Sequence, residues 1–127
     1  MKKGFTLIEV LASIVILSVI IAIAIPAVIA ITNRSKTNMY CSKLGIIEKS
    51  AISYGTEKLA TLNDEIITVQ TLIDTKYIKV DDLINNKLQD PRDRSEMNAL
   101  KIRVYVNNNR VYAKVQIEKP EDVGVCK

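Results

Sequence analysis

Apolar residues fall along this chain in three patterns, and each predicts a different element. The first is unbroken. From Val10 to Ile31 there are 22 residues without a charge, which as a helix span about 33 Å, enough to cross a bilayer. Pro26 lies inside that run, removes one backbone donor, and is expected to kink or locally melt the helix. The second pattern is periodic. Tyr40, Leu44, Ile47, Ala51, Tyr54 and Leu62 recur at i, i+4, i+7 spacing, with Lys43, Glu48, Lys49 and Glu57 on other faces. No proline intervenes between Thr32 and Leu62. One helix from Phe5 to about Leu62 is therefore predicted, roughly 87 Å long, with Gly45 and Gly55 as weak points.

The third pattern alternates. In LKIRVYV and RVYAKVQI, Leu100, Ile102, Val104 and Val106 share a face with Val111, Ala113, Val115 and Ile117. Lys101, Arg103, Tyr105, Arg110, Tyr112, Lys114 and Gln116 take the other face. The apolar face must cover the helix. Directly opposed residues share a face, so the two apolar sets match only if paired residue numbers sum to an odd value, which disfavours a three-residue loop. A type I′ turn at Asn108-Asn109 sets Tyr105 opposite Tyr112 and Arg103 opposite Lys114. A turn at Asn107-Asn108 instead opposes Lys101 to Lys114 and Arg103 to Tyr112. Both registers place like charges next to one another, which is mildly destabilising.

Between helix and hairpin the signals are shorter. Asn63-Asp64 is read as the helix end, and Thr68 as the N-cap of a short helix through Val69–Ile73. TKYIKVDDLINN reads as a turn and a second helical turn, and Asp90-Pro91 punctuates the chain before the hairpin. The fold class is α+β: a long N-terminal helix, transmembrane in its first half, with a small C-terminal antiparallel hairpin or sheet packed on its second half.

Composition narrows the chemistry. The 127 residues hold at most one domain, and the apolar run removes about a quarter of the chain from any soluble core. Net charge is +4, too mild to imply nucleic acid by itself. Histidine is absent, and two cysteines are too few for a Cys-only zinc site. With no Gly-rich phosphate loop either, the reading is not an enzyme, with no cofactor and no metal.

One residue then stands out. In GFTLIEV a carboxylate, Glu9, sits at the head of an otherwise apolar run. A charge at the centre of a membrane helix costs roughly 2.5–3.5 kcal/mol, so Glu9 needs a partner. A cleaved secretory signal fits Lys2, Lys3 and the Ala22-x-Ala24 pair, but its apolar region is typically about 7–15 residues. A plain signal anchor would leave Glu9 near the interface. Neither explains Gly4 and Glu9 together.

A short basic leader, Gly4, then Phe5-Thr6-Leu7-Ile8-Glu9-Val10 and a long apolar helix interrupted by Pro26 closely resemble the class III leader of type IV pilins and pseudopilins. The resemblance covers about the first 30 residues. It implies cleavage after Gly4 by a prepilin peptidase and N-methylation of Phe5. It also implies an assembly role for Phe5, Thr6 and Glu9, and a membrane assembly platform as partner. The segments would be 1–4 leader, 5–32 transmembrane and assembly helix, and 33–127 extracytoplasmic domain. Cleavage exposes an α-amine on Phe5 with a reference pKa of about 7.7–8.0, a candidate partner for the Glu9 of another subunit. The apolar first half would be buried by neighbouring copies once it leaves the bilayer. LIDTKYIKVDDL is also similar to a segment of small pilins and competence pseudopilins, with Lys76 where their pattern carries Gly.

Two further features take expectations from that setting. Cys41 and Cys126 lie in the part expected outside the cytoplasm, where disulfides persist. A bridge pinning the C-terminal tail to the helix is expected, against two free thiols or an intermolecular bond. The face carrying Lys101, Arg103, Tyr105, Arg110, Tyr112 and Lys114 is read first as solvated, balanced by acidic groups such as Asp81, Asp82, Asp90 and Asp93 on this or a neighbouring subunit. Its sharper reading is a polyanion contact, DNA phosphates with tyrosines as stacking platforms. The expected function is a self-assembling filament subunit, in the cell membrane before assembly and on the cell surface afterwards. Two alternatives are kept: a competence or type II secretion pseudopilin contacting DNA or exported substrate, and a membrane-anchored exported protein that never polymerises.

Overall fold

The computed structural model describes residues 4–126, so Lys2 and Lys3 of the leader lie outside the described residues. It contains one 51-residue helix, α1 (Leu7–Glu57), followed by β1 (Asp64–Thr68), α2 (Val69–Asp74), β2 (Lys101–Asn107), β3 (Arg110–Gln116) and a 3-10 turn at Pro120–Asp122. Two compact units divide the chain, Met1–Ser35 and Lys36–Lys127.

In the first unit, residues 4–35 are all exposed. Helix α1 is long and apolar enough to cross a membrane. The local melting expected at Pro26 does not occur, since the helix runs unbroken through it. Proline deprives only the Ala22 carbonyl of its intrahelical donor, while the turns on either side stay bonded.

The second unit is built on the stripe of α1 that the periodicity picked out. Tyr40, Leu44, Ile47, Ala51 and Tyr54 are buried, and with Leu62, Ile67, Val69, Leu72, Ile73, Leu88, Met97, Ile102, Val104 and Val115 they form one core. Each fully buried Leu or Ile contributes about 1.5–3 kcal/mol. Three antiparallel strands in the order β1-β2-β3 cover this stripe. The β2–β3 register opposes Tyr105 to Tyr112 and Arg103 to Lys114. Asn108 and Asn109 have φ of 50° and 63°, the positive values that a type I′ turn requires at both central positions.

Helix α1 stops at Glu57, five residues short of the expected end. The chain there tightens into a turn in which Lys58 N–H donates to the Gly55 carbonyl, and Thr61 and Leu62 N–H donate to the Lys58 carbonyl. Continuing the helix would carry Leu62 away from the core, whereas the turn folds it back over Gly55. The released residues Asp64–Thr68 then form β1, a strand that the alternation argument passed over because only Ile67 in it is fully buried. It pairs with β2, Ile67 opposite Ile102.

Helix α2 begins as expected, with the Thr68 hydroxyl accepting from Thr71 N–H at 3.4 Å. Its end is a Schellman motif: Tyr77 N–H donates to the Leu72 carbonyl and Lys76 N–H to that of Ile73. Lys76 takes φ 63°, a left-handed conformation in which a Cβ is penalised. The second helical turn expected in TKYIKVDDLINN is absent. Residues 82–87 instead form a closed turn bridged between Asp82 and Lys87, because the Asp82 carboxylate accepts from Ile84 and Asn85 N–H and competes with helical bonding. Buried Asn98 organises the chain that follows. Its amide oxygen accepts from Leu88 N–H, and its amide nitrogen donates to the Gln70 side chain and the Asn86 carbonyl.

Two substitutions test this packing. A Cβ at Gly55 would lie 2.8 Å from Cγ1 of both Val104 and Val111. Gly55→Ala should therefore lower stability by about 1–2 kcal/mol in urea unfolding, overpacking outweighing the roughly 1 kcal/mol gained in helix propensity; a stabilised variant would contradict the close approach. Lys76→Gly should raise stability by about 1 kcal/mol, by removing the left-handed penalty.

Candidate functional site

Three groups of residues carry the functional expectations. The first is the start of α1. Thr6 is its N-cap: Glu9 N–H donates to the Thr6 hydroxyl at 3.3 Å and to the Thr6 carbonyl at 3.1 Å, and Val10 N–H to the same carbonyl at 3.2 Å. Thr6-x-x-Glu9 is thus the spacing of a capping box, a signal open to sequence reading that the Glu9 argument alone overlooks. Glu9 lies in the first turn, where the helix dipole favours a carboxylate. Among the described residues its carboxylate has no ion-pair partner, and Phe5 is 82% exposed. Farther along, the hydroxyls of Ser13, Ser18 and Thr32 donate to the carbonyls of Glu9, Ile14 and Val28. These three hydroxyls therefore satisfy themselves within the helix, as a lipid environment demands.

Residues 1–25 match the prokaryotic N-terminal methylation motif. The match supports a class III prepilin leader and a type IV pilin-like protein, with Gly4, Phe5 and Glu9 inside the matched span. No curated protein and no solved structure matches the chain.

The second group ties down the C-terminal tail. Cys41 on α1 is bonded to Cys126, 85 positions away, with Cα atoms 5.4 Å apart. Closing a loop of that length contributes roughly 4.5 kcal/mol in the chain-entropy model. Next to it lies an ionic cluster that sequence reasoning missed. The Arg92 guanidinium stacks 3.6 Å over the Tyr40 ring. It donates from Nε and Nη2 to Asp90, and from Nη1 to Asp122 at 2.6 Å. Asp90 and Asp122 are both buried. The hydrogen bond from Arg92 holds the Asp122 carboxyl below its usual range, and those two carboxylates push Arg92 up. Burial, reinforced by Asp122, raises Tyr40. Nothing in the local sequence announces this cluster, because Asp122 reaches Arg92 across 30 positions.

The third group is the outer face of the sheet. The structure places Lys101, Arg103, Tyr105, Arg110, Tyr112 and Lys114 together there, joined by Asp64, Ile66 and Thr68 of β1. The Tyr105 and Tyr112 rings are stacked, with centroids 5.5 Å apart, and the Arg103 guanidinium lies 5.1 Å from the Tyr105 ring. The acidic partners differ from those expected. Arg103 grips Asp64 through Nε and Nη2, and Lys101 pairs with Glu118 at 3.2 Å. Hydrogen bonding from Arg103 draws the Asp64 carboxyl below its ordinary range.

Asp81, Asp82, Asp90 and Asp93 are engaged elsewhere. Asp81 binds Lys43 and the Gln89 N–H, Asp82 its own turn, Asp90 Arg92, and Asp93 the Ser95 N–H. Within the chain it is the unforeseen strand β1 that brings Asp64 beside Arg103, so the balancing carboxylates there are Asp64 and Glu118. Among the described residues Arg110 and Lys114 have no ion pair.

The tail cluster should titrate. Asp122 has a folded-state pKa below its unfolded value of about 3.9, so its stabilisation is present above that value and lost as pH falls through the folded pKa. Urea unfolding from pH 6 to pH 2 should show a smaller acid loss in Asp122→Asn than in wild type; an unchanged acid slope would remove Asp122 from the latch. For the outer face, two of the four cations are already neutralised, so duplex DNA binding with a salt slope near 0.9 log units per phosphate is expected to be absent. Binding with a slope of about two such units, lost in Arg110→Gln/Lys114→Gln, would reverse that reading.

Proposed function

We propose that this chain is a structural subunit of a type IV pilus-like filament. It is cleaved after Gly4 by a prepilin peptidase, N-methylated at Phe5 and polymerised through its N-terminal helix. One observation carries the reading: the methylation motif over residues 1–25 leads into a helix whose residues 7–36 are all exposed within the chain's own fold. An uncharged run of 22 residues needs an apolar surrounding. The bilayer supplies it before assembly, and neighbouring copies supply it afterwards.

Glu9 supplies the register. The Phe5 amine, largely cationic near neutral pH, is its partner on the adjacent subunit. A misregistered subunit would leave a carboxylate unpaired in hydrocarbon, so the pair fixes alignment more than it adds stability. The membrane assembly platform and the peptidase complete the set of partners. The paired state of Arg103 and Lys101 gives a DNA-contacting pseudopilin no particular support.

Mass spectrometry of the native product should find N-methylated Phe5 as the first residue; a mature start near Ala27 would support ordinary signal cleavage instead. Glu9→Val should enter the membrane normally, its insertion easier by up to about 2.5–3.5 kcal/mol, yet fail to join filaments. Normal filaments from that variant would sink the registry role, and processed wild-type chain that never polymerises would leave a simple membrane anchor.

A further inference from the structure

Strand β3 is one edge of the sheet, and its register fixes which of its backbone groups face outward. In a two-residue hairpin the residues flanking the turn, here Asn107 and Arg110, form a hydrogen-bonded pair, and such pairs alternate along the ladder. Arg110, Tyr112, Lys114 and Gln116 therefore bond to β2, while Val111, Ala113 and Val115 turn their N–H and C=O groups away from it. Val115 N–H agrees with this phase, since it donates to the Glu48 carboxylate on α1 at 3.2 Å. Among the described residues nothing bonds the outward N–H and C=O groups of Val111 and Ala113. The open stretch is thus short and bounded, by the Asn108-Asn109 turn at one end and by Glu48 at the other.

Two donors and two acceptors in this arrangement are what an added antiparallel strand takes up. The side chains alongside say which strand fits. Arg110 and Lys114 flank Tyr112 on the outer face, and neither shares in the ion pairs that hold Lys101 and Arg103. Tyr112 is 41% exposed, with one ring face stacked on Tyr105. A strand with carboxylates at i and i+4 sets one opposite each cation and its residue i+2 opposite Tyr112, while i+1 and i+3 cover the half-buried Val111 and Ala113. Another copy's β3 fits badly. Aligning its Val111 and Ala113 with these would set Arg110 against Lys114 twice, like charges directly opposed. The opposite edge, β1, carries exposed Glu65, and its Asp64 is already held by Arg103, so it disfavours an acidic strand.

We propose that the β3 edge receives an extended acidic segment of another polypeptide, by strand addition at Val111 and Ala113 with carboxylates paired to Arg110 and Lys114. The contact goes beyond the filament reading and stands whether or not the chain polymerises. Exposed ion pairs contribute little on their own. Backbone bonds to an open edge are indifferent to sequence, so the cations supply the choice of partner and the edge supplies its alignment.

The test titrates the full-length chain in detergent with a labelled, end-capped peptide, Thr-Glu-Val-Tyr-Val-Glu-Thr, read by fluorescence anisotropy. Saturable binding is expected, with hydrogen exchange slowed at the Val111 and Ala113 amides. The same peptide N-methylated at both valines keeps every charge but loses the two donors that face the edge, and should bind about tenfold more weakly. Arg110→Gln/Lys114→Gln, which alters only exposed side chains, should weaken the unmodified peptide by a similar factor while the Cys41–Cys126 bond still forms. Equal binding of the two peptides would overturn strand addition, and displacement of both by duplex DNA would then make the face a general polyanion contact. An unmodified peptide that fails to bind at millimolar concentration overturns the proposal and leaves the polymer reading standing.

Discussion

The soluble unit depends on one buried stripe of helix. Ile47 and Ala51 have no exposed surface, and Tyr40, Leu44 and Tyr54 extend the same row. An isolated amphipathic helix gains little from propensity alone, so its stability comes from what covers that row. Here the cover is a three-stranded sheet and one short helix, a small core that alone supplies only a few kcal/mol. The disulfide from Cys41 to Cys126 and the Arg92 cluster make up the difference by fastening the last residues of the chain to neighbours of the stripe. Tyr40 serves both purposes, one face in the core and the other under the Arg92 guanidinium.

The two parts of α1 meet opposite demands with the same backbone. In residues 36–57 the buried positions are confined to one face, with Met39 and Ile46 exposed outside it. In residues 7–35 the apolar positions run all round, as suits a helix surrounded by lipid or by copies of itself. Polar groups in that stretch are handled locally, by hydroxyls bonded to the preceding turn and by Thr6 capping the first free N–H groups. Glu9 is the exception: among the described residues its carboxylate has no ion-pair partner, and a charge in an apolar run is costly.

Charge on the outer face shows how pairing changes meaning. Four cations interleaved with two tyrosines look like a polyanion platform when read along the hairpin. With β1 in place, Arg103 is held by Asp64 in a bidentate grip and Lys101 by Glu118, and the tyrosines stack on each other. The face is then largely self-neutralised at its centre, leaving Arg110 and Lys114 toward one edge.

What the sequence determined is whatever depends on period and on local chemistry: the uncharged membrane-length run, the buried stripe of α1, the alternating hairpin with Asn108-Asn109 at its turn, the Thr68 cap, and the leader with Gly4, Phe5 and Glu9. Side-chain spacing along a helix or strand encodes these directly. What only the tertiary structure decided depends on residues far apart in the chain. Helix α1 ends at Glu57 because Leu62 must fold back over Gly55, where a Cβ would meet Val104 and Val111. Asp64–Thr68 is a strand because β2 offers it an edge, not because five residues with one buried side chain would extend by themselves. The partners of Arg92 and Arg103 follow from those placements, and no local pattern connects Asp122 or Asp64 to them. Ion pairing is a contact of tertiary neighbours, set only once the backbone has brought the charges together.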